Sequence, residues 1–363
     1  PPIEALCYLI SNAATIGSGK KYIMLNDVSR VLLNAKVTRE VYVQFPDDRL
    51  LGEEQMVGWL NLCLYGTRDA AMQWQDCVAE HLAPIGFERS AAFPSLHRHA
   101  EREMCTLFHG HDYVSSGEKR QLDWLRQELE KACEIKTDVI GFDDPEVKPE
   151  GKILNRIISV DKNGWSLEAD PRHGELIVEA LKLQDSKGVA TTGADEPEDE
   201  HEILLHDERV FAYRSLAARA NYLAQDRPDI SSSSEKLCRE LSVPNQASFK
   251  KLKRLCRYLA GLPRLRYLYR WQEMPKEIYI FVDTDFAGCK ETRRSTSGRA
   301  AMLGGCLLKH WSKTQSTISL SSWEAELHGI AQGCAQGLGL QSLLRDAGWR
   351  LPAHVYTDAT AAI

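Results

Sequence analysis

Short apolar runs bounded by turn residues indicate strands in the first half of the chain. Two pairs of runs flank the turn sequences Gly110-His111 and Asn163-Gly164, and each pair is therefore predicted to form a hairpin. The predicted strands cover residues 22–25, 41–45, 104–109, 113–115, 153–160 and 165–169.

Helical spacing of apolar residues recurs at three places. Ser115 with Glu118 has the pattern of a capping box before the first predicted helix, and Ser321 with Glu324 has it before the last. The predicted helices cover residues 118–134, 249–259 and 321–344.

The last part of the chain returns to a strand pattern. Residues 277–282 are apolar nearly throughout, as in a buried central strand. A hairpin is predicted from 299–303 and 306–311 around Gly304-Gly305, and a further strand from 317–320. Strands and helices mixed in this way predict an α/β fold of the α+β kind.

The bulk composition is that of a globular chain, with 363 residues, 43% hydrophobic residues and a net charge of −6. A negative net charge means that nucleic acid would have to bind through local basic patches. Ten scattered cysteines without a C-x-x-C pair argue against a zinc module and for an intracellular, reducing compartment, either cytoplasm or nucleus. No apolar run reaches membrane-spanning length, and no secretory signal is recognised.

Three carboxylates near the end of the sequence stand in different predicted elements. Asp283 closes an apolar strand, Glu326 lies in the first turn of a helix, and Asp358 closes another strand. Carboxylates delivered from separate elements can hold the Mg²⁺ or Mn²⁺ ions used to cut phosphodiesters. The alternative for each acid alone is a turn, a cap or a partner of the helix dipole. Asp285 is assigned to a turn.

The sequence around these acids resembles the RNase H domain of copia-type retrotransposon polyproteins. The chain reads V-D-T-D-F-A-G at 282–288, R-S-T-S-G at 294–298 and L-S-S-W-E-A-E at 320–326. The resemblance implies an RNase H-like mixed β-sheet with helices. It also implies that the three acids named above are catalytic metal ligands, with a fourth carboxylate expected beyond residue 363.

The resemblance continues upstream over nearly the whole chain. Residues 25–30 look like the first metal-binding motif of the copia-type reverse transcriptase, with Asp27 as a catalytic ligand. Residues 64–74 look like the family's support for template and incoming nucleotide, and they include Gly66 and Gln73. The resemblance therefore implies a partial reverse-transcriptase palm.

The second metal motif of the polymerase departs from the family. The family has two adjacent aspartates at a hairpin tip, whereas this chain has His111 followed by Asp112. By the resemblance Asp112 is a catalytic metal ligand. Because Mg²⁺ prefers hard oxygen ligands and a neutral imidazole brings no charge, we expect polymerase activity to be weak or absent. Asp143-Asp144 precedes a proline and is predicted to form a turn.

Charge divides the chain. Residues 188–208 contain eight acidic residues and no Lys or Arg, which predicts a solvated linker. Residues 241–272 contain eight basic residues and no acid. The predicted domains are a palm remnant (1–117), a thumb-like helix and hairpin region (118–187), the acidic linker (188–208), a helical basic connection (209–273) and a C-terminally truncated RNase H-like domain (274–363).

Basic residues cluster on the predicted helix of the connection. Phosphate neutralisation by such a patch would give salt-dependent binding of nucleic acid. The alternative is an ordinary solvated helix face. The patch consists of Lys250, Lys251, Lys253, Arg254 and Arg257.

Three functions stay open on the sequence. The first is an RNA-directed DNA polymerase and ribonuclease H, whose partners would be an RNA template, dNTPs, an RNA–DNA hybrid and other parts of the Pol polyprotein, with no membrane. The second is an inactive, degenerate and truncated retroelement remnant that at most binds nucleic acid. The third, a stand-alone RNase H-like nuclease, is disfavoured by the polymerase-like motifs upstream.

Overall fold

The computed structural model describes residues 3–17, 19–45, 57–193, 203–289 and 291–360. The chain forms two compact units. The first comprises Pro1–Gly151 together with Leu343–Trp349, and the second comprises Lys152–Ser342 together with Arg350–Ile363.

The described residues of the first unit form three α-helices and eight strands. The helices are α1 (Ile3–Ala14), α2 (Ala70–Leu82) and α3 (Lys119–Ala132). The strands are β1 (Lys21–Val28), β2 (Tyr42–Gln44), β3 (Val57–Trp59), β4 (Glu88–Arg89), β5 (Leu96–His99), β6 (Met104–His109), β7 (Asp112–Glu118) and β8 (Ile135–Ile140).

Six of these strands form one sheet in the order β4-β5-β6-β7-β1-β8. Strand β1 lies between β7 and β8 and runs antiparallel to both. Helix α1 is buried along nearly its whole length, so its apolar residues are not confined to one face. This helix was not predicted, although Leu6, Leu9, Ile10 and Ala13 have helical spacing.

The remaining described elements belong to the second unit, except that the first half of β9 and the last four residues of α8 fall in the first unit. The helices are α4 (Pro171–Ala180), α5 (Asp207–Leu223), α6 (Pro228–Arg239), α7 (Gln246–Gly261) and α8 (Ser322–Asp346). The strands are β9 (Glu150–Ile153), β10 (Arg156–Asp161), β11 (Gly164–Glu168), β12 (Arg266–Arg270), β13 (Ile278–Asp285), β14 (Thr296–Leu303), β15 (Cys306–Thr314) and β16 (Ala353–Tyr356).

The second unit has two four-stranded sheets and a helical core. One sheet has the order β12-β11-β10-β9. The other has the order β15-β14-β13-β16, in which β13 pairs antiparallel with β14 and parallel with β16. Apolar side chains of α4, α5, α6 and α7 pack together into one core. The predicted mixed α/β fold is confirmed.

Several local predictions were wrong, each for a physical reason. Ser115 lies within β7 and does not cap α3, whose N-cap is Glu118 without a side-chain cap bond. Leu154 and Asn155 adopt positive φ and break the predicted strand 153–160 into β9 and β10. Residues 317–320 form no strand, and Leu320 is 90% exposed.

Other predictions were confirmed. The hairpin β6–β7 turns at Gly110-His111, and Gly110 has the positive φ of 59° that this turn requires. Ser321 accepts a hydrogen bond from the Glu324 backbone N–H at 3.2 Å, so it caps α8 as expected. One prediction was only partly right. Strand β13 forms where it was expected, but its side chains alternate between buried and more exposed, so the strand is buried on one face, whereas burial on both faces was predicted.

Part of the predicted acidic linker, residues 194–202, lies outside the described residues. Its last residues, Asp207 and Glu208, lie in the first turn of α5, where their negative charges interact favourably with the positive end of the helix dipole. Within the described ranges, no helix is long and apolar enough to cross a bilayer.

The buried His97 in β5 should make the stability of the first unit depend on pH. Burial, with a smaller contribution from Arg89, lowers the pKa of His97 from 6.5 to about 4. The unfolded chain therefore binds more protons than the folded chain between these values. Stability from this residue is complete above pH 6.5 and is lost as the pH falls towards 4.

We expect the free energy of unfolding to fall by about 2 kcal/mol between pH 7 and pH 5 because of His97. Urea denaturation of the wild type and of His97→Leu at both pH values measures this contribution. The difference between the two pH values should shrink in the variant. Equal differences in both proteins would show that the fold does not lower the pKa of His97.

Candidate metal centres and basic helix

The strand register of the second unit brings Asp283 beside Asp358. Strands β13 and β16 are parallel, with Phe281 opposite Tyr356. Two residues further along each strand direction stand Asp283 and Asp358. Because side chains at i and i+2 share a face, both carboxylates are expected on the same face, at the carboxyl ends of these two neighbouring strands.

Helix α8 supplies the third carboxylate and lies very close to β13. A Cβ atom added at Gly329 would lie 2.6 Å from Thr284 Oγ1, and one added at Gly333 would lie 2.7 Å from Val282 Cγ2. The absence of side chains at these positions lets the first turns of α8 approach the strand. Glu326, one turn before Gly329, accepts a hydrogen bond from the Thr284 backbone N–H at 3.3 Å.

The ligand oxygens of Asp283, Glu326 and Asp358 all lie within 4.8 Å of one another. Asp283 and Asp358 are exposed, whereas Glu326 is only 8% exposed. Its Oε2 is buried and has no hydrogen-bond partner among the described residues. Burial, together with the charges of Asp283 and Asp358, raises the pKa of Glu326 against the opposing backbone bond from Thr284. The site thus brings three carboxylates close together, and one of them, Glu326, is buried.

Buried polar side chains support the start of α8. Gln315 Nε2 donates to the carbonyl of Ala325 at 2.8 Å and to Ser297 Oγ at 2.9 Å. Ser297 also accepts from Thr284 Oγ1 at 3.1 Å. Gln315 therefore connects β14 to the residue before Glu326. Sequence reasoning missed Gln315, because a single Gln in a polar stretch carries no local signal.

Asp285 does not join the cluster. Its carboxylate accepts a hydrogen bond from the backbone N–H of Thr296, its partner in the β13–β14 register. The prediction that Asp285 lies in a turn was wrong, because it is the last residue of β13.

A second cluster lies at the β6–β7 hairpin of the first unit. Asp27 stands directly opposite Asp112 in the β1–β7 register. Ligand atoms of Asp27, His111 and Asp112 lie within 4.8 Å of one another, and His111 Nε2 is 3.8 Å from Asp112 Oδ2. Burial raises the pKa of Asp112, the nearby His111 opposes this shift, and the charge of Asp27 adds to it.

Helix α2 fixes the backbone of this hairpin tip. The buried Trp74 donates from Nε1 to the carbonyl of Gly110 at 2.8 Å. The carbonyl of His111 in turn accepts from the Val28 backbone N–H at 2.9 Å. Both bonds hold the turn beside the end of β1, where Asp27 lies.

The other residues predicted for the polymerase site have local roles. Gly66 has a φ of +92° in the turn before α2. Gln73 donates to Thr38 Oγ1 at 2.8 Å. Asp144, which was predicted to lie in a turn and not in the site, accepts a hydrogen bond from Tyr22 Oη at 3.0 Å and pairs with Lys119 at 3.2 Å.

Most cations of the predicted basic patch on α7 have intramolecular contacts. Lys251 pairs with Glu240 at 2.5 Å, Arg254 donates to Thr191 at 2.8 Å, and Arg257 donates to the carbonyl of Lys187 at 3.0 Å. The ammonium of Lys253 lies 5.3 Å from the Phe249 ring centre. Lys250 is exposed. The helix is therefore partly engaged by its own unit.

Comparison with known proteins agrees with this fold. Residues 9–141 match the model of the family described as "Reverse transcriptase (RNA-dependent DNA polymerase)". The chain is also similar to a solved foamy viral protease-reverse transcriptase in complex with double-stranded DNA, with a TM-score of 0.51 over 96% of this chain and 52% of that one. At 10% identity this likeness shows the fold alone.

Two plant proteins are similar in sequence. An uncharacterized mitochondrial protein of Arabidopsis thaliana is 33% identical over 204 residues, which is 56% of this chain and 74% of that protein. The retrovirus-related Pol polyprotein from transposon RE2 of the same plant is 26% identical over 351 residues. That alignment covers 93% of this chain and 23% of the polyprotein.

The fold and the matched region define a reverse-transcriptase-like protein. The chain belongs to the family of copia-type retrotransposon Pol polyproteins, as its motifs predicted. It spans about a quarter of the length of the Pol polyproteins that it matches.

The Trp74 bond to Gly110 should stabilise the hairpin that carries His111 and Asp112. Replacing Trp74 by Phe keeps most of the ring and removes the N–H donor, so we expect a loss of about 1 kcal/mol in the free energy of unfolding. Amide hydrogen exchange at the β6–β7 tip should accelerate.

The exposed Trp59 supplies a matched control, and Trp59→Phe should change neither quantity. If Trp74→Phe were as stable as the wild type, with unchanged exchange at the tip, α2 would not fix the hairpin.

Proposed function

We propose that the second unit is an RNase H-type hydrolase that cleaves the RNA strand of an RNA–DNA hybrid. The observation that carries the proposal is the convergence of ligand oxygens of Asp283, Glu326 and Asp358 within 4.8 Å. One oxygen of Glu326 is also buried and has no hydrogen-bond partner among the described residues. Membership of the Pol family supports a hybrid as the substrate, because reverse transcription produces one.

The donor set fits Mg²⁺ or Mn²⁺. Hard divalent cations take oxygen ligands, and all three side chains offer carboxylate oxygens. Asp283, Glu326 and Asp358 would hold the ions. When bound, such ions activate a water molecule and neutralise the charge that develops on the phosphate.

The three acids differ in their exposure to solvent. The exposed Asp283 and Asp358 face the solvent side, where a phosphodiester backbone can reach them. Glu326 is held by the hydrogen bond from the Thr284 N–H and by its position in the second turn of α8, which begins at Ser322. Pre-positioned carboxylates in this arrangement need no rearrangement to bind cations.

The first unit retains only part of a polymerase site. Asp27 and Asp112 lie side by side, as ligands for the dNTP-bound cations of a polymerase would. His111 stands where the family has another aspartate, so the all-oxygen set for a pair of Mg²⁺ ions is incomplete. We propose that RNA-templated DNA synthesis with Mg²⁺ is impaired in this chain, whatever other parts of a Pol polyprotein accompany it.

The competing proposal is a protein that binds nucleic acid without catalysis. The basic side chains on α7 would then carry the function. The internal contacts of Lys251, Arg254 and Arg257 disfavour it, because these groups are already hydrogen-bonded or paired.

Cleavage of a labelled RNA–DNA hybrid by the full 363-residue chain tests the nuclease proposal. We expect Mg²⁺-dependent cleavage that EDTA abolishes. Asp283→Asn should lower the rate by about 10²-fold or more, because it removes a charged ligand from the site.

Asp285→Asn is the matched control, since an amide oxygen can still accept the Thr296 N–H, and its rate should stay within a few-fold of the wild type. Cleavage by Asp283→Asn at the wild-type rate would sink the nuclease proposal. Tight hybrid binding without cleavage in Mg²⁺ or Mn²⁺ would favour the competing one.

Primer extension on an RNA template tests the polymerase proposal separately. His111→Asp restores a second carboxylate beside Asp112, and we expect it to raise the Mg²⁺-dependent rate by about 10²-fold. Asp112→Asn in the His111→Asp background should abolish the gain. A wild-type chain that extends primers as fast as His111→Asp would contradict the assigned effect of His111.

A further inference from the structure

The cluster at the β6–β7 hairpin combines nitrogen and oxygen donors. It contains two carboxylates, Asp27 and Asp112, and the imidazole of His111, with ligand atoms within 4.8 Å of one another. His111 is exposed, so an ion can reach the imidazole from solvent. This donor set differs from the all-carboxylate cluster of the second unit.

The distances suit one ion shared by the three side chains. Zinc-like ions bind His nitrogen and carboxylate oxygen at about 2.0–2.2 Å, so two such bonds span up to about 4.2 Å. The 3.8 Å between His111 Nε2 and Asp112 Oδ2 falls inside this span. One ion between these two atoms would therefore require little movement of either side chain.

The chemistry of the donors selects the kind of ion. Mg²⁺ demands near-octahedral oxygen ligation and keeps several waters, so an imidazole is a poor ligand for it. Imidazole suits Zn²⁺, Co²⁺ and related ions, and a set of one His and two carboxylates leaves further positions for water. The replacement of an acid by His111 changes ion preference as well as charge.

The backbone holds the donors in place without an ion. The direct pairing of Asp27 with Asp112 fixes two of them across β1 and β7. The backbone that carries the third is fixed by the Val28 N–H bond to the His111 carbonyl and by the Trp74 bond to Gly110. A turn anchored on both sides limits the conformational entropy lost on binding.

We propose that Asp27, His111 and Asp112 form a mononuclear site for a divalent transition-metal ion of the Zn²⁺ class, with low affinity for Mg²⁺. The proposal goes beyond the nuclease of the second unit and does not depend on it. In this proposal His111 acts as a metal ligand at the position where the family has an aspartate.

Titration of the full chain with Co²⁺ tests this site, since bound Co²⁺ is seen directly by its visible absorption. The Asp283→Asn, Glu326→Gln background removes binding by the other cluster. In that background we expect one Co²⁺ per chain, displaced by Zn²⁺ and not by an equal concentration of Mg²⁺. Because even loss of an outer-shell partner costs 10–100-fold in metal affinity, His111→Ala should weaken binding by at least about 100-fold.

His354→Ala, which alters another exposed histidine, is the matched control and should bind Co²⁺ like the parent chain. His111→Gln provides a second variant, and circular dichroism checks that each variant is folded. The proposal is overturned if His111→Ala and His111→Gln bind Co²⁺ as tightly as the parent, or if an equal concentration of Mg²⁺ displaces it. Neither result would bear on hybrid cleavage, which the second unit performs in the proposed function.

Discussion

Mutual repulsion among carboxylates is the constraint on which the candidate nuclease site depends. The ligand oxygens of Asp283, Glu326 and Asp358 lie within 4.8 Å of one another. At an effective dielectric constant of about 20, two unit charges at that distance repel by roughly 3 kcal/mol before solvent screening. The exposed Asp283 and Asp358 are screened by water, but Glu326 is buried and one of its oxygens has no partner among the described residues. A divalent cation bound in the proposed site would relieve the repulsion. Burial and, to a smaller extent, the charges of Asp283 and Asp358 raise the pKa of Glu326.

The fold meets this constraint by fixing the backbone around the acids. The parallel register of β13 and β16 sets two of them, and the closeness of α8 sets the third. Buried groups without charge, Ser297 and Gln315, connect the strands to the helix start. Several residues near these acids therefore have structural roles. Ser297 forms hydrogen bonds, and Gly329 and Gly333 allow close packing of α8 on β13. The hairpin of the first unit is fixed in the same way, with an imidazole in place of one acid.

The sequence was most informative where local pattern and order along the chain agreed. The strand before Asp283, the helix after Ser321 and the turn at Gly110 were all foreseen from spacing and turn chemistry. Residues 317–320 were misread because Ile318 and Leu320 are apolar, yet both are largely exposed and pair with no strand. Local hydrophobicity alone does not reveal whether a sheet edge is available to pair with a run.

Long-range contacts explain the remaining differences. The cations of α7 formed an open patch in the sequence, but their partners Thr191, Lys187 and Glu240 lie well apart from them along the chain. The convergence of Asp283, Glu326 and Asp358 was expected from family order, whereas the buried, unpartnered oxygen of Glu326 required the packing of α8 against β13. The grouping of Asp27, His111 and Asp112 was implied by the resemblance to the family motifs, and the pairing of β1 with β7 supplied its geometry.

Anomalous diffraction from crystals of the chain grown with Mn²⁺ tests the central claim most directly. The account predicts a peak bonded to carboxylate oxygens of Asp283, Glu326 and Asp358, and its disappearance in crystals of a chain that lacks the first of them. Crystals that show these three side chains on separate faces, or grouped without any bound ion at saturating Mn²⁺, would contradict it.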